Sequence, residues 1–188
     1  MILKKISADH PDYSKVKNLY ETAFPIDERP MSMDEIMAIT ETMSAEVLGI
    51  YPDDAADDFS GFFVIFDAGD FVYLNFFATS PEKRSTGIGS KAIKALIVYC
   101  NEKPLLFDYE SPFEASDNTE QRERRRSFYL KNGFYETGSF LNFNDTEFII
   151  TSSKENFDKA VIEQFAEIIA ANFPDAAVKP ELYSRDDI

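Results

Sequence analysis

The stretch Val72–Cys100, VYLNFFATSPEKRSTGIGSKAIKALIVYC, constrains the fold more than any other part of the chain. It opens as a nearly continuous apolar run rich in aromatic and β-branched residues, which suits a central strand buried on both faces. Pro81 ends that strand, because proline has no N–H to donate to a ladder. Gly87 and Gly89 come next, and Ala92, Ile93, Leu96, Ile97 and Cys100 then recur at helical spacing. The order is strand, glycine-bearing loop, helix.

Such a loop has a physical use. The free N–H groups and positive dipole end of a helix start attract an anion, typically a phosphate. Glycine lets the backbone approach that anion with no Cβ in the way. Lys83, Arg84, Lys91 and Lys94 bring four positive charges to this one place in a chain of net charge −15. A diphosphate ligand explains that local reversal of sign.

Two motifs carry a resemblance. Arg84–Gly89, R-S-T-G-I-G, is similar to the R/Q-x-x-G-x-G/A pyrophosphate loop of the GNAT family of N-acetyltransferases. Arg124–Phe134, RRRSFYLKNGF, resembles the helix and FY-x-x-x-GF strand start that close the cofactor site in that family. The two stand in the family's order and at its spacing. The resemblance covers about residues 1 to 152 and implies an α/β, GNAT-like acyl-CoA N-acyltransferase fold: a mixed, strongly bent sheet flanked by helices. Residues 1–152 form the expected acetyltransferase domain, and residues 153–188 a C-terminal amphipathic helix and tail. Two other readings of the loop stay open. Gly87, Gly89 and Ala92 also satisfy G-x-G-x-x-A, with Asp108 at roughly the distance of a dinucleotide-binding acid. Against it, the glycines lie well beyond the strand end, and too few βα units follow for a doubly wound sheet. The other reading is an ordinary connection with no ligand.

The 188 residues suffice for one domain with a full core, and eighteen Phe and nine Tyr without Trp make that core aromatic. The lone cysteine, Cys100, falls on the core-facing side of the helix, so no disulfide framework exists and the thiol is expected to be structural. The lone histidine, His10, excludes histidine-based metal clusters and triads, and no metal is expected. The N-terminus lacks the apolar core of a signal peptide and no run approaches a membrane span, so a cytoplasmic location is expected. The sequon Asn144-Asp145-Thr146 then reads as a hairpin turn. Strong acidity argues against nucleic acid or an anionic membrane as partner and leans toward a cationic substrate.

Along the chain, residues 2 to 7 read as a strand, and Val16, Leu19, Tyr20 and Ala23 as the stripe of a first helix. Ser32 and Glu35 form a capping box opening a second, with Ile36, Met37, Ile39 and Met43 inside. Strands follow at Ala45–Tyr51 and Gly61–Asp67, and after the organising stretch at Pro104–Ser111. The next helix concentrates Arg122, Arg124, Arg125 and Arg126, which either pair with acids such as Glu120 and Glu123 or face cofactor phosphates. A hairpin at Phe134–Phe143 and Glu147–Ser152 follows. A last helix is expected, capped by Ser152 and Glu155, with Phe157, Val161, Phe165, Ile168 and Ile169 as its stripe and Pro174 as its stop. That extension could pack on the core, cover the site or support a homodimer.

What the resemblance implies is direct transfer of an acetyl group from acetyl-CoA, as co-substrate, to a primary amine of a small molecule or a protein. Main-chain groups of Phe77, Ala78 and Thr79 would serve the pantetheine and the thioester oxygen. The backbone N–H groups of Arg84, Ser85, Thr86, Gly87, Ile88, Gly89 and Ser90 would hold the pyrophosphate. Tyr129, four residues before Gly133, stands where many members keep the tyrosine that protonates the leaving thiolate. Asn75 occupies the position of the carboxylate that many members use as base, and an amide cannot accept a proton at useful pH. Glu110 is then the best carboxylate, with Asp108 second and a water relay third. In the acceptor loop, Asp27 and Glu28 are candidates for a cationic substrate. A non-catalytic acyl-CoA-binding regulatory module on the same fold is the rival reading.

Overall fold

The computed structural model describes residues 1–26, 29, 31–40, 44–114, 116–143, 146–156, 158–172 and 181–184. The chain divides into two compact units, Met1–Lys103 and Pro104–Ile188. The first contains β1 (Ile2–Lys5), α1 (Tyr13–Ala23), α2 (Met33–Thr40), β2 (Ala45–Tyr51), β3 (Gly61–Asp67), β4 (Val72–Thr79) and α3 (Ile88–Tyr99). Its strands run in the order β1-β2-β3-β4, each pair antiparallel.

Alternation along these strands builds the core. Val47 and Tyr51 of β2, Phe62 and Val64 of β3, and Phe76 and Ala78 of β4 cluster with Val16, Leu19 and Tyr20 of α1 and Met33, Ile36 and Met37 of α2. Tyr20 shows how tightly: its ring lies 5.0 Å from Phe76 and 6.3 Å from Phe62, edge to face, while its hydroxyl donates to the Met31 carbonyl at 2.8 Å. The intervening residues Leu48, Ile50, Phe63 and Ile65 are buried as well, which is why β2 and β3 read as apolar runs rather than as alternating ones. The Ser32–Glu35 capping box is present. Ser32 N–H donates to Glu35 Oε2 at 2.7 Å and Glu35 N–H to Ser32 Oγ at 3.3 Å.

β4 departs from the expectation of burial on both faces. Its first three residues are buried, but Asn75, Phe77 and Thr79 are only half-buried while Phe76 and Ala78 stay in the core. The C-terminal half of the strand therefore has one open face. Gly61, paired with Thr79, explains how close β3 comes there: a Cβ at Gly61 would lie 2.3 Å from the Ala78 carbonyl oxygen.

The second unit contains β5 (Leu105–Glu110), α4 (Thr119–Lys131), β6 (Tyr135–Phe143), β7 (Thr146–Ser152), α5 (Lys159–Asn172) and β8 (Glu181–Ser184). Its strand order is β5-β7-β6-β8, again antiparallel throughout. The expected hairpin is present as β6 and β7, with Asn144-Asp145 outside the described residues. α5 starts later than expected because Asp158 caps it, its Oδ1 accepting the Ala160 N–H at 3.0 Å, while Ser152 ends β7. The buried stripe is Ile162, Phe165 and Ile169, with Val161 and Ile168 half-buried; Phe157 and Pro174 lie outside the described residues. β8 is not foreseen by the sequence reading. Four residues carry no usable period, and the strand is defined by pairing with Ser139–Asn142 of β6.

Candidate active site

In the first unit the site begins with an irregularity in β4. Val64 pairs with Phe76 but Ile65 with Leu74, so Asn75 is the extra residue of a β-bulge. Its side-chain oxygen accepts the Tyr73 hydroxyl at 3.1 Å. Beyond the bulge Phe77 stacks on Phe63 with ring centroids 4.6 Å apart. This places Phe77, Ala78 and Thr79 at the end of the strand with its open face.

The gap between strand and glycines, which weakened the dinucleotide reading, is filled by a 3-10 turn at Pro81–Lys83. Lys83 N–H donates to the Ser80 carbonyl at 2.9 Å, and Thr86 Oγ1 to the Lys83 carbonyl at 2.6 Å. Ser85 then adopts φ 62° and Gly87, the N-cap of α3, φ 82°. The left-handed Ser85 is strained by roughly 1–2 kcal/mol. Among the described residues, the backbone N–H groups of Ser85 to Ser90 have no protein acceptor. A Cβ at Gly87 would meet nothing within 4 Å, so the space above the loop is open. Turned residues followed by a helix start make a concave array of donors suited to phosphate oxygens.

Of the four cations expected at this loop, Lys83 is committed elsewhere, pairing with Asp58 at 2.5 Å. Arg84, Lys91 and Lys94 are exposed and make no ion pair among the described residues. At the far end of α3 Cys100 is buried, and burial, with lesser contributions from Asp67 and Glu46, pushes its thiol up to about 12. An unreactive, structural cysteine is what the sequence leads one to expect.

In the second unit Tyr129 lies on the inner face of α4. Its ring is buried against Phe107 at 4.3 Å, Tyr109 at 5.6 Å and Phe134 at 5.8 Å. Burial pushes its phenol up to about 12, with Arg125 lowering and Asp108 raising it further. The phenol therefore keeps its proton at neutral pH, and among the described residues it donates that proton to no protein group.

Glu110, at the end of β5, is heavily engaged. It accepts from Arg122 Nη2 at 3.0 Å, Arg125 Nη1 at 3.4 Å and Asn118 Nδ2 at 3.4 Å. Arg122 occupies a position a hydrophobic residue would usually take, with Nη1 on the Ser111 carbonyl at 3.1 Å and Nε buried without a partner. Arg126 grips Glu136 through two bonds of 2.6 and 2.9 Å, and the Tyr109 hydroxyl joins the same carboxylate at 2.8 Å. Arg124 pairs with Glu120 at 3.6 Å on the surface. The four arginines thus pair with carboxylates of their own unit, two of which, Glu110 and Glu136, come from the neighbouring strands β5 and β6 rather than from the helix itself. Asp108, mid-strand in β5, is half-buried, and burial pushes it up to about 6. Asp27 and Glu28 lie outside the described residues.

Comparison with known proteins now decides the family. A sequence model of the Acetyltransferase (GNAT) family matches residues 13–134. The chain belongs to the GNAT family of acetyltransferases. Solved GNAT folds resemble it over nearly their full lengths. A chain from Bacteroides thetaiotaomicron assigned to the GNAT family superposes with a TM-score of 0.72 at 22% identity, covering 95% of this chain and 100% of the other. An aminoglycoside 6′-N-acetyltransferase complexed with coenzyme A gives a TM-score of 0.61 at 17% identity, covering 84% and 100%. A variant of the spermidine N-acetyltransferase from Vibrio cholerae gives 0.58 at 13%, covering 81% and 94%. No curated protein sequence matches. The GNAT assignment makes acyl-CoA-dependent N-acetyl transfer the chemistry of the family and the α/β GNAT fold that of the chain. No helix among the described residues is long and apolar enough to cross a membrane. Nor do those residues contain a group of three or more His, Cys, Asp or Glu that could hold a metal ion.

Proposed function

We propose that this GNAT protein transfers the acetyl group of acetyl-CoA directly to a primary amine in a ternary complex. The observation that carries the reading is the run of unpartnered backbone N–H groups at Ser85 to Ser90, opened by the left-handed Ser85 and Gly87. With Arg84 it is the donor set a pyrophosphate needs. The co-substrate supplies an activated carbonyl on sulfur. Main-chain groups of Phe77, Ala78 and Thr79, at the open end of β4, align its pantetheine arm. Tyr129 holds a proton at neutral pH and gives it to the departing thiolate. A carboxylate of β5 takes the amine's proton. Glu110 is the choice from sequence, and its three donors oppose that role.

The acceptor class is a small cationic amine. Support comes from the net charge of −15, which draws cations, and from relatives named for aminoglycosides and spermidine. Calorimetric titration with acetyl-CoA, with NADH as control, tests the loop: micromolar acetyl-CoA binding without NADH binding is expected. A folded protein that binds no acetyl-CoA refutes the reading. Acetyl-CoA binding with no turnover across an amine panel leaves the non-catalytic acyl-CoA-binding module instead.

A further inference from the structure

We propose that the exposed face of α3 is where a second copy of this chain docks, the two copies meeting about a twofold axis. In the first unit nearly every described cationic side chain has a partner. Lys4, Lys5, Lys15, Lys17, Lys83 and Lys103 each hold a carboxylate, and Arg29 lies over the Tyr20 ring. Besides Arg84 of the donor loop, that leaves Lys91 and Lys94, both exposed and without an ion pair among the described residues. The two share a stripe. Lys91, Lys94, Ala95 and Val98 stand at i, i+3, i+4 and i+7 on one face of the helix, and with Met1 and Asp53 they line an open depression of about 530 Å³. Val98, 79% exposed, gives the stripe an apolar end.

The same depression carries the opposite sign. Asp53, in the connection after β2, faces it across from the helix and forms no ion pair with either lysine; its Oδ2 accepts the Met1 ammonium at 2.7 Å, an exposed contact of the kind that contributes little. Asp54 beside it is exposed and has no ion pair among the described residues. Cations and anions thus border one patch without joining each other.

Such a patch is complementary to itself. A twofold axis through the depression sets the helix side of each copy against the aspartate side of the other, so each charge contact is made twice. Val98, Ala95 and the lysine stems lie between, and the small Ala95 lets the two helices approach. An acidic partner of another kind would meet the lysines but would set like charge against Asp53 and Asp54, which is costly. The net charge of −15 does not forbid the contact. At an ionic strength of about 0.15 M, charges more than about 8 Å apart are largely screened, so the facing patches decide.

Sedimentation equilibrium of the full chain tests this. A shallow patch predicts a weak dimer, dissociating in the micromolar rather than the nanomolar range. Lys91→Glu with Lys94→Glu, and separately Asp53→Lys with Asp54→Lys, should each weaken the dimer by about a hundredfold or more, because like charges then face each other. An equimolar mixture of the two double variants should dimerise as wild type does, since every facing pair is again of opposite sign. Val98→Glu, at an exposed position, should dissociate the dimer as well. Melting curves establish that each variant is folded. Wild type that stays monomeric at a concentration on the order of 1 mM overturns the inference whatever the variants do. So does a dimer that survives Val98→Glu or either double variant, or a mixture of the folded double variants that stays monomeric.

Discussion

Glu110 and Arg122 form one contact, yet removing one partner should not equal removing the other. Their side chains are 18% and 10% exposed, so both charges are largely withdrawn from water. In Glu110→Gln, Arg122 stays buried with its charge uncompensated, its Nε already without a partner and only the Ser111 carbonyl as a firm acceptor. Breaking a buried pair from one side costs about 3–5 kcal/mol. Partial exposure and the acceptor oxygen that glutamine retains reduce this to about 2–3 kcal/mol. In Arg122→Met the buried charge and the orphaned Nε leave together, and Glu110 keeps Arg125 and Asn118, each at 3.4 Å. Two hydrogen bonds worth about 1 kcal/mol each are lost, against the removal of an unsatisfied donor that costs about 1–3 kcal/mol. The net is within about 1 kcal/mol of zero. A gap of about 2 kcal/mol is a difference of about 4–8 °C in Tm for a chain of this size. Calorimetric melting of wild type, Glu110→Gln, Arg122→Met and the double variant at pH 7 reads it directly. If Arg122→Met melts as low as Glu110→Gln, or lower, the view of Glu110 as the counter-charge of a buried guanidinium is wrong.

Tyr129→Phe should lower turnover by about ten to a thousandfold while acetyl-CoA affinity measured by calorimetry stays put, and full activity would remove Tyr129 from the mechanism. Gly87→Val should abolish acetyl-CoA binding in a folded protein, because the side chain enters the open space above the donors and φ 82° disfavours a β-branched residue; retained affinity would mean that the loop is not the phosphate site. Asp108→Asn should be more stable than wild type at pH 8 by on the order of 2 kcal/mol, discounted for partial exposure, and nearly equal to it at about pH 4. The folded carboxyl is raised to about 6 from 3.8, so the native state binds the proton more tightly than the unfolded chain, and wild type loses stability as pH rises through that window. Urea midpoints of the two proteins at both pH values check the sign, and a less stable variant at pH 8 would contradict it.

Local chemistry made part of this molecule legible. The run Val72–Thr79, the break at Pro81 and the period of Ala92, Ile93 and Leu96 announced a strand, a loop and a helix, and all three are present. Ser32 and Glu35 meet as a capping box because both partners lie within one turn. The donor loop was legible for the same reason: glycine spacing and helix start are properties of seven consecutive residues. The alternation that leaves Asn75, Phe77 and Thr79 half-buried was hidden, since Phe76 and Phe77 look alike until a bulge assigns their faces. α4 shows the opposite failure. The spacing left acidic neighbours and phosphates open alike: Arg124 does pair with Glu120, but Arg122, Arg125 and Arg126 pair with Glu110 and Glu136, which β5 and β6 supply.

The sequence by itself therefore determined the family, the order of the principal elements and the anion-binding character of the loop after β4, because these rest on short-range spacing and backbone chemistry. Tertiary structure alone decided which carboxylates meet the arginines of α4, where the bulge falls, and that Glu181–Ser184 forms a strand. Charge compensation and strand register are set by residues distant along the chain and near in space, and no local pattern records them.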